Sequence, residues 1–158
     1  MPRHRWSVLG LLALAALSTA RAFAGDVVFI VHPRNPQTDI SSADLVQILR
    51  MEQQHWDAGG RIYLVLQESE APEKELVLRK LYRMKDAALK LHYLEKLYRG
   101  EIAAFPRIAH SNPAVRKIVA QAPNALGFID ASAVDTTVKV LRIDGKKPGD
   151  PGYLLTPD

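Results

Sequence analysis

The chain has 158 residues, enough for one domain with a core of its own. Hydrophobic residues make up 47% and charged residues 24%, a globular composition that excludes a disordered chain or a coiled coil. Cysteine is absent, which excludes a disulfide framework, a thiolate metal site and a cysteine nucleophile.

The first segment reads as an export signal. Arg3 and Arg5 precede the apolar run "WSVLGLLALAAL", and "AFA" at Ala22, Phe23 and Ala24 offers a cleavage site before Gly25. An uncleaved anchor is the competing reading, but about a dozen apolar residues are too few to span a bilayer. Residues 1–24 are therefore expected to be a signal peptide and 25–158 a single domain, placed in the periplasm. Arg3, Arg5 and Arg21 leave with the signal, so the net charge of +4 falls to 18 basic against 17 acidic residues. That near-balance removes the electrostatic case for nucleic acid.

"DVVFIVH" (Asp26 to His32) is a β-branched apolar run and predicts a buried strand. "PRNPQTD" stops it. A helix follows over "SSADLVQILRMEQQ", capped by Ser41 or Ser42, with Leu45, Ile48, Leu49 and Glu52 at helical spacing. "HWDAGGR" is a turn in which Gly59 and Gly60 can take positive φ. "RIYLVLQ" (Arg61 to Gln67) is a second strand. Pro72 then suits a first helical turn, and Val77, Leu81 and Met84 share one face of the helix after it. Asp86 is expected to cap a third helix, with Leu91, Leu94 and Tyr98 on its buried stripe and Gly100 as its stop. "AFPRIAH" is a short strand, and "SNPAVRKIVAQ" a helix capped by Ser111. "NALGFID" and "TVKVLRI" are two more strands, before a tail rich in proline and glycine. Strands alternating with helices predict an α/β fold with a central, mostly parallel sheet.

Candidate chemistry is sparse. His32, His55, His92 and His110 are scattered, and a zinc site needs at least three converging ligands. Neither a nucleophile elbow nor a glycine-rich nucleotide loop occurs. The basic helical stretches "LRKLYRMK" and "HYLEKLYR" read as solvated faces edged by tyrosine, or as a site for an acidic partner. The dense feature is "QESEAPEKE", which holds Glu68, Glu70, Glu73 and Glu75. Glycosidases need carboxyls facing each other across a cleft, not neighbours in one turn, so no enzyme is expected. Oxygen ligands from Gln67, Glu68, Ser69 and Glu70 could hold Ca²⁺, although the spacing fits no calcium loop. As part of a helix mouth, each glutamate instead stabilises the first turn by roughly 0.3–1 kcal/mol through the helix dipole.

Several segments, in order, resemble one family. "VVFIVHPRNPQTDISSADLVQIL", "HWDAGGRIYLVL", "NPAVRKIVAQAPNALGFIDASAV" and "VKVLRIDGKKP" with "GYLL" are similar to successive parts of phosphate ABC transporter substrate-binding proteins. The likeness covers nearly the whole chain after residue 24 and implies a short, single-lobe member of the type II periplasmic-binding-protein-like fold. It also implies a non-enzymatic role without a cofactor, in binding a small solute, with a transporter or another envelope protein as partner. In the family, the turn after the second strand carries an arginine and then a Gly-Ser-Gly-Thr run that binds the oxyanion at a helix N-terminus. The resemblance places Gln67 at the arginine position and Glu70, Ala71, Pro72 and Glu73 at the run. Gln67, Glu68, Ser69 and Glu70 are thus the candidate ligand-binding residues, in a loop where the run's hydroxyls and the guanidinium are replaced. Two unit charges about 4 Å apart repel by about 1 kcal/mol in water and several times that in a partly buried cleft, which disfavours a dianion here. The alternative to solute binding is a lobe without a ligand that serves protein interaction in the envelope.

Overall fold

The computed structural model of the protein describes residues 25–158. The expected signal peptide, residues 1–24, lies outside the described residues. Strands β1 (Val27–Val31), β3 (Tyr63–Gln67), β4 (Arg107–Ala109), β5 (Ala125–Asp130) and β6 (Lys139–Val140) form a five-stranded sheet in the order β4-β3-β5-β1-β6. β3 is parallel to both β4 and β5, while β1 runs antiparallel to β5 and β6. The sheet is thus mostly parallel, with β1 the reversed strand. β2 (Asp39–Ile40) and β7 (Arg142–Ile143) form a separate parallel pair.

Alternation along the strands divides the core in two. Val27, Phe29 and Val31 of β1, Leu64 and Leu66 of β3, and Leu126 and Phe128 of β5 face the larger cluster. That face is covered by α1 (Ser42–Leu49), α2 (Pro72–Val77) with the π-helical turn Leu78–Tyr82 that continues it, and α3 (Asp86–Tyr98). Val28, Ile30, Val65 and Ile129 face the other side, where Val115 and Val119 of α4 (Asn112–Gln121) pack. Burial on both faces explains why β1 and β5 read as near-continuous apolar runs. α4 lies very close to β5: a Cβ on Gly127 would fall 2.6 Å from Val115 Cγ1 and 3.2 Å from Val119 Cγ2.

Much of the expected punctuation is present. Ser41 caps α1 and Ser111 caps α4, each accepting from a backbone N–H three residues on. Gly59 and Gly60 take φ of 92° and 93°, and Gly100 takes 72° after α3. Other expectations need correction. α1 ends at Leu49, and Met51 turns left-handed at φ 57°, so Glu52 lies beyond the helix. Asp86 is the first helical residue of α3 and not its cap, because its carboxylate is held by Lys74 (2.7 Å) and Lys90 (2.8 Å). "TVKVLRI" is not one strand: fully buried Leu141 separates β6, paired with β1, from β7, paired with β2.

The largest correction concerns α3. Leu91, Leu94 and Tyr98 point outward, at 56%, 53% and 93% exposure, while Leu89 and Tyr93 are buried. The helix carries apolar residues on two opposite faces, and hydrogen bonding selects between them. The Tyr93 hydroxyl donates to Leu49 O (2.6 Å) and meets the Tyr82 hydroxyl at 2.7 Å, so a buried polar tip is satisfied there. Burial raises both phenols well above the ordinary tyrosine value, which keeps them protonated.

Candidate functional site

β3, β4 and β5 end at one edge of the sheet, where α2 and α4 begin. In open α/β sheets a ligand crevice lies outside such carboxyl ends. Four segments are tied together there by side-chain amides. Gln67, the last residue of β3, is 2% exposed, and its Nε2 donates to Asn112 Oδ1 (2.7 Å) and Phe128 O (3.2 Å). Asn112 Oδ1 also accepts from the Asp130 N–H (3.1 Å), and Asn112 Nδ2 donates to Glu73 Oε1 (2.7 Å). Asn112 therefore links the ends of β3 and β5 to the first turns of α2 and α4.

The candidate residues do not converge. Gln67 turns inward to this amide network. Glu68 lies on the surface, paired with His110 at 3.0 Å. Ser69 is exposed and stands beside Asp86. Glu70 lines an open depression of about 600 Å³ beside Arg83 and Lys85. No group of three histidine or acidic residues comes together to hold a metal among the described residues.

A cleft of about 370 Å³ lies at the strand ends. Val27, Pro72, Leu76 and Pro157 give it apolar walls, and Glu73, Glu75, Asp130 and Arg79 give it charge. Asp130 Oδ2 accepts from the Gly25 N–H (3.2 Å), and its Oδ1 accepts from the Ser132 N–H (2.8 Å) and hydroxyl. Arg79 is engaged by Asp158 at 2.9 Å. Hydrogen bonding from Lys80, with Arg79 nearby, holds the Asp158 carboxyl below the usual aspartate range. Three carboxylates thus border the cleft, and its one guanidinium already has a counter-charge. α2 begins at Ala71 without a side-chain cap, followed by Pro72 and the acids Glu73 and Glu75. Proline removes one backbone donor from that turn, and the acids occupy the electropositive end.

Behind this loop sits a second electrostatic feature. Lys74 is buried at 4% exposure and paired with Asp86. Burial opposes the charge on Asp86, but the ammonium groups of Lys74 and Lys90, with Ser69 nearby, outweigh it and lower the carboxyl to about 2. The pair anchors the loop to the start of α3.

Asn112, Asp130 and the inward role of Gln67 are not legible in the sequence. In the sequence Asn112 is only a residue between a serine cap and a proline. A polar residue opening a helix after a strand, opposite a strand-terminal glutamine, is the signal that could have drawn notice.

The described residues thus form an α/β lobe, a mixed sheet with helices on both faces, one reversed strand and a cleft at the strand ends. In structure the chain is similar to an ABC-type phosphate transport receptor from Vibrio cholerae (TM-score 0.64, 19% identity, 80% of this chain and 50% of that one). It is equally similar to a protein from Clostridium perfringens described as a phosphate ABC transporter substrate-binding protein, with phosphate bound (TM-score 0.65, 20% identity, 80% and 49%). PstS from Borrelia burgdorferi matches with a TM-score of 0.64 at 18% identity, over 82% of this chain and 53% of that one. The chain spans about half the length of these structures. At such identities the likeness establishes the fold. No protein-family profile matches the chain, and no curated protein does.

Proposed function

We propose that the chain is a short, single-lobe relative of the phosphate ABC transporter substrate-binding proteins, exported to the periplasm. In this reading it is a non-enzymatic, solute-binding-like protein whose anion loop has degenerated. The observation that carries the proposal is the cleft between the end of β5 and the first turns of α2, whose charge is wrong for a phosphate dianion. Glu73, Glu75 and Asp130 border it, and Gln67, at the family's arginine position, is spent on Asn112 and Phe128. A cationic or zwitterionic solute suits such a lining better, with its ammonium toward the acids. Export is supported by the fit of Gly25: cleavage after Ala24 leaves its nitrogen as an α-ammonium 3.2 Å from Asp130 Oδ2, a favourable ion pair.

Calorimetric titration of the periplasmic protein tests this. Phosphate and sulfate should give no heat at millimolar concentration, whereas an amine or amino-acid solute should, and E73Q should weaken it. Tight phosphate binding would sink the degenerate-loop reading. Silence with every solute would favour the ligand-less interaction module, which the outward apolar face of α3 also supports. N-terminal sequencing of the periplasmic protein should begin at Gly25.

A further inference from the structure

We propose that the outer face of α3 is the contact surface of a homodimer in which two α3 helices lie parallel and in register. The proposal goes beyond solute binding and does not depend on it. Ala87, Leu91, Leu94 and Tyr98 are all exposed and are spaced by four, three and four residues, the seam of a two-heptad coiled coil. They lie opposite the buried Leu89 and Tyr93, so the seam points away from the protein's own core. Leu91 and Leu94 form the middle of the seam at 56% and 53% exposure.

Charge complementarity selects the occupant and its direction. Lys90 lies on one flank of the seam and Glu95 on the other, at the two positions that flank a coiled-coil seam. In a parallel, in-register pair, a residue on the first flank faces the residue five further along on the partner helix. Lys90 then meets the partner's Glu95, and Glu95 meets the partner's Lys90, so a twofold pair gains two opposite-charge contacts. An antiparallel pair would place Lys90 beside the partner's Leu97 and Glu95 beside the partner's Ala88, and would gain neither. Both groups are available. Lys90 is 66% exposed, and its present partner Asp86 keeps Lys74 at 2.7 Å. Near Glu95, Lys96 and Arg99 turn to Glu101 instead (2.8 and 3.8 Å).

The 13 residues of α3 extend about 20 Å. Two heptads bury less than the roughly 1,200 Å² of a standard interface, but the helix is already folded, so association does not bear the cost of forming it. The expected dissociation constant is on the order of 1–100 µM, a dimer that fills as the protein is concentrated.

Sedimentation velocity on the protein produced from the full chain tests this, from low-micromolar to near-millimolar concentration. The expected result is a mass that doubles with concentration. L91K should leave a monomer throughout the range while circular dichroism and, at low-micromolar concentration, the thermal midpoint stay unchanged, because the side chain is outside the core. E95K should weaken association about tenfold or more, K90E likewise, and the K90E/E95K double variant should recover it. A monomer at every concentration overturns the proposal, as does a dimer indifferent to L91K, or a stable complex with a different envelope protein through this face. A dimer that the double variant fails to recover overturns the parallel register.

Discussion

Asn112→Ala removes the group that joins four elements at the sheet edge. Three hydrogen bonds vanish together: from Gln67 Nε2 (2.7 Å), from the Asp130 N–H (3.1 Å) and to Glu73 Oε1 (2.7 Å). Their fates differ. Glu73 is partly exposed and regains water, so that loss is small. Gln67 is buried and keeps only Phe128 O at 3.2 Å, and the Asp130 N–H loses its acceptor. A neutral hydrogen bond contributes about 1 kcal/mol net, and a stranded buried donor costs about 1–3 kcal/mol. The sum expected for Asn112→Ala is therefore about 2–3 kcal/mol, most of it from the Gln67 side. Urea denaturation measures it as a lower midpoint at unchanged slope. Coupling gives the sharper test. Gln67→Leu removes the stranded amide, so the double variant should be less destabilised than the two single losses added, by about 1 kcal/mol. A loss under about 0.5 kcal/mol for Asn112→Ala, or strict additivity with Gln67→Leu, would refute the network.

Gly127→Ala should destabilise by about 1–3 kcal/mol, because its Cβ falls 2.6 Å from a stiff valine methyl of α4. Thermal denaturation would show it, and Val115→Ala in the same chain should recover part of the loss. Asp86 sets an acid limit. Its carboxyl is lowered from 3.8 to about 2, so its contribution is complete above pH 3.8 and is lost as pH falls through about 2. The contribution is about 1–2 kcal/mol after allowing for solvent screening, and Asp86→Asn should remove that part of the acid dependence in a stability–pH series. Tyr93→Phe strips a hydroxyl that bonds both Leu49 O and Tyr82, and should cost about 1–2 kcal/mol, seen as a lower urea midpoint.

The sequence by itself determined the alternation of elements, most of their ends and the two-faced sheet. These follow from local rules: β-branched runs fit a buried strand, Ser41 and Ser111 offer acceptors where a helix has free donors, and Gly59, Gly60 and Gly100 stand where φ must be positive. The resemblance carried by ordered segments pointed to the correct fold. Tertiary structure decided whatever depended on a partner distant in the chain. α3 has two apolar faces of comparable strength, and the position of Leu49 O and Tyr82 determines which one turns inward. Asp86 would suit a cap until Lys74, buried twelve residues earlier, takes its carboxylate. Gln67 sits where an anion ligand is expected, yet Asn112, 45 positions away, draws it into the junction. "QESEAPEKE" is thus shared among several contacts. Its residues part toward Asn112, His110 and Asp86, because side chains in a tight turn diverge and each finds its counterpart on a different element.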